Sequence, residues 1–232
     1  GAVTVNGSIT ADGGPNAGWG SLAGSGGAVF ITCRTIAGNG TVSAAGGANG
    51  GGGGRIAVLY DPSAQAAEPV PSLRFSATTT GPDLWGDIGT LYFPDNRLLA
   101  ETIRHSGQWS VPGFTAWSPA ALTVDNSWIG FRASGFQLAA AGDVVVNGGG
   151  ARLELGGNRV VYTNAAQSSG YRYTFSEPDR PSLACGGSLI LTNGGRLTVY
   201  AGPTNAASPA YGALIAVTND LYVGNGSWVV PV

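Results

Sequence analysis

The chain has few charged residues, and it has no lysine at all. Charged side chains make up 10% of the 232 residues, and the basic residues other than His105 are all arginine. Typical soluble domains carry about 25% charge. The net charge of −2 gives no electrostatic reason to expect a nucleic-acid partner. Without lysine, the glycine run at 50–54 lacks the ending of a phosphate-binding loop, so a nucleotide site is not expected.

Long apolar runs and helical periodicity are missing too. No stretch of about 18 apolar residues occurs, so we expect no helix that spans a membrane. Glycine interrupts most windows long enough for a helix, and only the region 98–105 could form one or two turns. Methionine is absent as well, so we expect a processed chain or a fragment. These deficits argue against a coiled coil and against a typical charged cytosolic enzyme.

The chain is rich in glycine and in short alternating apolar segments. Glycine accounts for 40 residues and hydrophobic residues for 43%, so the chain can build a core. Segments such as 29–33, 56–60 and 144–146 have apolar side chains at every second position. A period of two places one face of a strand inward and the other outward. The sequence therefore predicts an all-β protein made of many short strands.

A short unit recurs in which Asn-Gly separates two alternating segments. Its asparagines are Asn6, Asn39, Asn147, Asn193 and Asn225. Asn-Gly between strands is typical of β-hairpins, which would give an antiparallel β-sandwich. It also suits the corner of a right-handed parallel β-helix, where Asn accepts the left-handed conformation and Gly follows. Irregular spacing and long glycine runs favour the β-helix, because solenoid coils accept insertions at their corners.

We interpret residues 1–232 as a single β-helical domain, since no charge run or Ser/Pro linker divides it. It has Gly-rich coils and corner loops at 1–60, irregular central coils and loops at 61–142, and regular coils at 143–232. Free buried thiols are favoured over a disulfide at Cys33 and Cys185, which would lie several coils apart. The predicted inward-facing residues are Val3, Val5, Val29, Ile31, Val144, Val146, Leu189, Leu191, Leu197, Val199, Leu221 and Val223.

Two glycine-rich segments resemble a known class of protein. Residues 28–47 (AVFITCRTIAGNGTVSAAGG) and 50–58 (GGGGGRIAV) are similar to coils of large secreted bacterial surface proteins with Gly-rich, β-helical, autotransporter-passenger-like repeat regions. The similarity is good over 1–60, fair over 140–232 and poor over about 61–140. The resemblance implies export, an extracellular or cell-surface location and a structural or adhesive role. It carries no catalytic motif.

The ionisable residues of the centre are the candidates for chemistry. β-helical polysaccharide lyases and hydrolases place acids, arginine and a base along one groove, and tryptophans could stack on sugar rings. No spacing here is diagnostic, and a single histidine rules out schemes that need two. We therefore expect no enzyme, no cofactor and no metal, and the weaker catalytic alternative would use Arg97, Glu101, Arg104 and His105. The wider cluster adds Asp83, Asp87 and Asp95 with Trp85, Trp109 and Trp117.

The strand-like segments near both ends lack a polar cap, so we expect them to form an assembly interface through Val3, Val5, Trp228 and Val230. An uncapped coil exposes unpaired backbone groups and an open apolar core. The predicted function is a structural subunit or segment of a secreted bacterial surface protein, forming a filament or stalk or acting as an adhesin. Its partners would be copies of itself or neighbouring repeats, and extracellular polysaccharide. The alternative is a carbohydrate-active protein, either a polysaccharide lyase or hydrolase or a sugar-binding module.

Overall fold

The computed structural model describes residues 1–15, 23–48, 50–79, 86–133, 135–157, 160–162, 173–175, 181–200 and 213–231. Of the described structure, 44% is strand and 3% is helix, so the predicted all-β fold is confirmed. No helix of the described ranges is long and apolar enough to cross a membrane.

The strands are short, and a one-turn helix interrupts them. In chain order they are β1 (Ala2–Thr4), β2 (Ser8–Thr10), β3 (Ala28–Thr32), β4 (Thr35–Ala37), β5 (Thr41–Ser43), β6 (Arg55–Leu59), β7 (Arg74–Ser76), β8 (Thr90–Tyr92), β9 (Thr102–Ile103), β10 (Gly107–Ser110), β11 (Ala116–Trp117), β12 (Leu122–Asp125), β13 (Trp128–Phe131), β14 (Gln137–Ala140), β15 (Val144–Asn147), β16 (Arg152–Leu155), β17 (Val160–Tyr162), β18 (Tyr173–Phe175), β19 (Ser182–Cys185), β20 (Leu189–Thr192), β21 (Arg196–Val199), β22 (Leu214–Val217), β23 (Leu221–Val223) and β24 (Trp228–Pro231). The helix α1 (Pro62–Ala66) lies between β6 and β7.

Apart from β17 and β18, which pair with each other, consecutive strands lie in different sheets and pair with strands from neighbouring passes of the chain. The main sheet has the order β24-β21-β16-β13-β10-β8-β6-β3, the second sheet β23-β20-β15-β12-β9, and the third sheet β11-β14-β19-β22. Two smaller sheets, β2-β5-β7 and β1-β4, belong to the first passes. We call one such pass a circuit; β22, β23 and β24 form the last one described.

The pairing within these sheets is parallel, as in β14 with β19, β15 with β20 and β16 with β21. Among the described strands, only β17 and β18 pair antiparallel. The Asn-Gly units therefore join neighbouring sheets and do not close hairpins, which excludes the antiparallel sandwich for this part of the chain. Parallel sheets are confirmed as the basis of the fold.

The core lies between the sheets and follows the predicted alternation. Val144, Val146, Leu189, Leu191, Leu197 and Val199 are fully buried, and Val5 and Val29 are nearly so. Val3 and Ile31, in the first circuit, are half-buried.

Leu221 and Val223 lie on the predicted inward side but are not buried, since they are 58% and 44% exposed. They pair in register with the buried Leu189 and Leu191 and so face the same side. No described strand pairs with the other edge of β23, and the exposure follows from that open edge.

The corners use asparagine differently from the prediction. Of the five asparagines named above, all in described ranges, Asn193 alone has a positive φ, of 54°. At Asn147 the left-handed residue is the following Gly148, with φ 114°. The Asn147 side chain instead links three circuits, because its Nδ2 donates to Asp125 Oδ1 (3.0 Å) and its Oδ1 accepts from the Thr192 hydroxyl (3.0 Å).

Helix α1 takes the place of a strand beside β4, whereas the region 98–105 forms a turn and then β9, so the helix prediction there is wrong. Asp61 caps α1 by accepting from the N–H groups of Ser63 and Ala64, and Pro62 sets the helical φ of the first turn. The buried Gln65 amide then mimics a neighbouring strand. Its Oε1 accepts from the Ile36 N–H (2.7 Å) and its Nε2 donates to the Ile36 carbonyl (3.1 Å).

The Gly-rich segments of the first circuits stack backbone on backbone. A Cβ added to Gly89 would lie 1.8 Å from the Gly54 carbonyl oxygen, and one added to Gly26 would lie 2.0 Å from the Ala44 oxygen. These approaches exclude any side chain. Glycine is therefore required here by contact between circuits.

Candidate functional site

The described ionisable residues predicted for the centre make several different contacts. Asp83 and Trp85 lie outside the described residues. Among the described ones, no hydrogen bond or ion pair joins any two of Arg97, Glu101, Arg104 and His105. Glu101 and Arg104 are exposed, and a Glu101 oxygen accepts from the Ala120 N–H (2.6 Å).

His105 is buried within the core. Its Nδ1 accepts from the Phe75 N–H (3.2 Å), and its Nε2 lies 3.1 Å from the Leu98 carbonyl oxygen. Because a carbonyl only accepts, Nε2 carries a proton. Because Nδ1 accepts a hydrogen bond, it carries none, and the ring is neutral. Burial lowers the pKa of His105 to about 4, and the charge of Arg74 lowers it further against the opposing effect of the Leu98 carbonyl. Both ring nitrogens are engaged in holding the backbone together.

Arg97 and Asp95 hold helix α1 and the end of β6 in place through hydrogen bonds. The Arg97 guanidinium donates to the carbonyls of Gln65 (3.0 Å) and Glu68 (2.6 Å). Asp95 accepts from the Tyr60 hydroxyl and from the Arg97 N–H. Burial and the Asp95 carboxylate raise the pKa of Tyr60. These contacts account for both charged side chains structurally.

Trp109 and Trp117 are part of the packing. The Trp109 ring stacks on Phe93 at 4.5 Å between centroids and on His105 at 5.6 Å, and its indole N–H donates to Asn96 (2.9 Å). Trp117 packs against Phe131 at 5.7 Å. Both described rings of the predicted sugar-stacking set, Trp109 and Trp117, contact neighbouring aromatic side chains.

A charged cluster at the main sheet joins Asp87, which the sequence analysis named, to Arg132 and Glu154, which it missed. Arg132 binds Asp87 through both terminal nitrogens (2.6 and 2.8 Å) and reaches Glu154 Oε2 at 3.0 Å. Glu154 is 5% exposed, and burial raises its pKa, with Arg132 and Trp128 acting in the opposite direction. The sequence feature that could have indicated this cluster is Glu154, an acidic residue between Leu153 and Leu155 in β16.

This cluster joins circuits and leaves little room for chemistry. Arg132 already engages both acids, and the buried Glu154 offers almost no surface to a substrate. The Arg132 Nε is buried and has no hydrogen-bond partner among the described residues. We interpret the Asp87–Arg132–Glu154 cluster as a clamp that joins the segment before β8, the end of β13 and β16.

Beside this clamp, a row of arginine and tryptophan crosses the main sheet. Trp128 pairs with Arg152, Arg152 with Arg196, and Arg196 with Trp228. We call these four residues the Trp–Arg ladder. On each of the four strands, the residue that follows the ladder position belongs to the core or packs on it: Ile129, Leu153, Leu197 and Val229. Because side chains alternate along a strand, the ladder lies on the outer face of the sheet.

The ladder is positively charged and partly exposed. The Arg152 guanidinium carbon lies 4.2 Å from the centroid of the Trp128 ring, a cation–π contact. Burial and the charge of Arg196 lower the pKa of Arg152, and the charge of Glu154 acts in the opposite direction. Within the described ranges the ion pairs involve Arg132, not Arg152 or Arg196. Trp228 is 55% exposed.

The other predicted features are placed as follows. Cys33 and Cys185 are free thiols, as predicted, with Cys185 buried and Cys33 half-buried. Of the predicted assembly residues, Val5 is nearly buried and Val3 half-buried, whereas Trp228 and Val230 are exposed on the outer face of β24. The described residues contain no group of three or more His, Cys, Asp or Glu placed to hold a metal ion.

Comparison of the chain with models of protein families, with curated proteins and with solved structures gives no match.

Proposed function

We propose that the chain is a structural segment of a secreted bacterial surface protein, built as a right-handed parallel β-helix that extends by adding further coils, as a stalk or filament. The supporting observation is the last circuit. Its core-facing side chains Leu221 and Val223 are exposed, although their register partners Leu189 and Leu191 are fully buried.

The last circuit has the features that an added coil would need. Its strands continue three sheets in register, and their outer edges have unpaired backbone groups in the described structure. Such an edge is a template for another strand. An added coil would remove Leu221 and Val223 from water at a gain of about 25 cal/mol per Å² of apolar surface. Right-handedness is supported by the strong preference of parallel strand crossovers for that hand.

The charge pattern supports a stacking role over a catalytic one. Charged residues are only 10% of the chain, so repulsion between stacked coils is weak. The predicted assembly residues Val3, Val5, Trp228 and Val230 stay part of the proposal, and Leu221 and Val223 are added to them. Contact between the two different ends of a coil stack is heterologous and produces an open filament unless rotation closes a ring.

Assembly is tested by electron microscopy and sedimentation velocity over a range of protein concentrations. We expect concentration-dependent filaments that disappear in Leu221→Asp, because the charge would face the core of the joined coils. Ala216→Asp is the matched control, since Ala216 is an exposed residue of the same circuit on the outer side of β22. A wild-type chain that stays monomeric at high concentration, or equal effects of both variants, would reject the stacking proposal.

A further inference from the structure

We propose that the Trp–Arg ladder binds an anionic polysaccharide, with Arg152 and Arg196 holding a carboxylate or sulfate group and Trp228 stacking on a sugar ring. This inference goes beyond the structural function proposed above. Trp228 lies on the outer face of β24 beside Arg196, so a further coil added at the edge of that strand would leave the ring on the outer face.

The ladder presents its groups in one straight row. Its four residues occupy paired positions on adjacent parallel strands. Adjacent strands lie about 4.8 Å apart, so the row is about 14 Å long. A sugar unit of an extended polysaccharide has a length similar to one strand spacing. The row therefore has the length to contact several consecutive sugars of one chain.

The two arginines of the row lack a counter-ion among the described residues. Asp87 and Glu154, the acids of the neighbouring clamp, pair with Arg132. Arg152 and Arg196 stand side by side. Burial is the main cause of the lowered pKa of Arg152, the charge of Arg196 lowers it further, and the nearby Glu154 carboxylate acts in the opposite direction. An anion between them would relieve that repulsion, and guanidinium groups match the planar geometry of a carboxylate or the oxygens of a sulfate.

The tryptophans have different roles. Trp128 is buried and carries the Arg152 guanidinium on its ring at 4.2 Å, which fixes that arginine before any ligand arrives. Trp228 is half-exposed at the other end of the row, where it offers a free aromatic face next to Arg196. Aromatic rings combine a large apolar surface with a defined geometry, so one exposed ring beside two cations favours a ligand with both rings and charge.

A polysaccharide fits the row better than a nucleic acid. The chain carries a net charge of −2 and an isoelectric point near 5.2, and two unpaired arginines are too few for the basic stripe that a phosphate backbone requires. Sugar polymers with sparse charges need fewer cations and more ring contacts.

Binding is measured with four probes: polygalacturonate, dextran sulfate, neutral dextran and single-stranded oligothymidylate. The readouts are titration calorimetry and quenching of tryptophan fluorescence. We expect binding of one or both anionic polysaccharides, weaker at high salt, and none of neutral dextran. Preference for polygalacturonate would identify carboxylate as the bound group, and preference for dextran sulfate would identify sulfate.

Variants locate the site. Arg196→Gln and Trp228→Ala should each weaken binding about tenfold or more, as expected for loss of a charge-assisted hydrogen bond or a stacked ring. Arg74→Gln and Phe30→Ala are the matched controls, an exposed strand arginine of another sheet and an exposed aromatic residue at the far end of the main sheet. Both should bind within about twofold of wild type. Circular dichroism verifies the fold of each variant.

Several outcomes would overturn the inference. These are no binding of either anionic polysaccharide, an equal loss in Arg74→Gln, or tighter binding of oligothymidylate. If Arg196→Gln fails to fold, Trp228→Ala carries the same test. The titrations are repeated on Leu221→Asp, which should still bind the polysaccharide although it does not form filaments, so failure to bind and failure to assemble are distinguished.

Discussion

Truncating Leu189 should destabilise the protein far more than the same truncation of its register partner Leu221. The two leucines face the same side of the second sheet on adjacent strands. They differ in their surroundings, because Leu189 is fully buried and Leu221 is 58% exposed. Comparing the two truncations therefore measures how much one adjacent circuit adds to the stability contribution of a leucine side chain.

The expected magnitudes follow from burial. Leu189→Ala removes buried carbon atoms and leaves a cavity enclosed by neighbouring circuits, which typically costs about 2–5 kcal/mol. Leu221→Ala loses less than half of that burial and opens no enclosed cavity, so its cost should be about 1 kcal/mol or less. The expected difference in the free energy of unfolding is thus about 1–4 kcal/mol.

The assay is urea unfolding followed by circular dichroism, at a protein concentration where the chain is monomeric. Both variants should keep the slope of the wild type and differ in midpoint. Equal midpoints for the two variants would refute the reasoning, since they would show that Leu221 is covered or that Leu189 is not. A cost below about 0.5 kcal/mol for Leu189→Ala would place that residue in solvent.

Three further predictions concern buried polar groups. The pKa of His105 is about 4 in the fold against 6.5 for the unperturbed ring, so the unfolded chain is protonated first. Its contribution to stability is therefore full above pH 6.5 and is lost between 6.5 and about 4. His105→Gln should flatten the pH dependence of the urea midpoint there, and an unchanged slope would contradict this. Arg132→Ala leaves Glu154 buried without its cation and should cost about 3–5 kcal/mol by urea unfolding. Adding Glu154→Gln should restore much of that loss, and no recovery would argue against the clamp. Gln65→Ala strips two buried backbone groups of β4 of their partners and should cost about 2–4 kcal/mol by urea unfolding. The exposed control Gln137→Ala should stay within about 0.5 kcal/mol, and equal costs would reject the strand-mimic role of Gln65.

The strand pattern was predictable because it is local. Alternation at 144–146 and 189–191 identifies the inward side chains directly, and both segments are buried as expected. Leu221 and Val223 show the limit of that signal. Their alternation matches that of Leu189 and Leu191, but burial depends on a further circuit, which a local pattern does not specify.

The candidate site was less predictable because its contacts cross circuits. Arg132 reaches Asp87, 45 positions earlier, and Glu154, 22 positions later. Insertions of different length separate the circuits, so sequence distance does not reveal which residues stack. Conversely, Arg97 and His105 are close in sequence but have different surroundings. Arg97 binds the carbonyl of Gln65 in α1, whereas His105 lies in the core.

The parallel ladders also determine how the protein would respond to force. Hydrogen bonds between circuits run along the direction in which the strands stack, so tension in that direction loads them one circuit at a time. Each circuit that detaches releases a length of extended chain. A circuit as long as residues 128–151 would add about 80 Å at about 3.3 Å per residue. Interior circuits remain paired while the outermost one peels. A stalk of this construction would extend in steps and absorb mechanical work without losing its remaining coils.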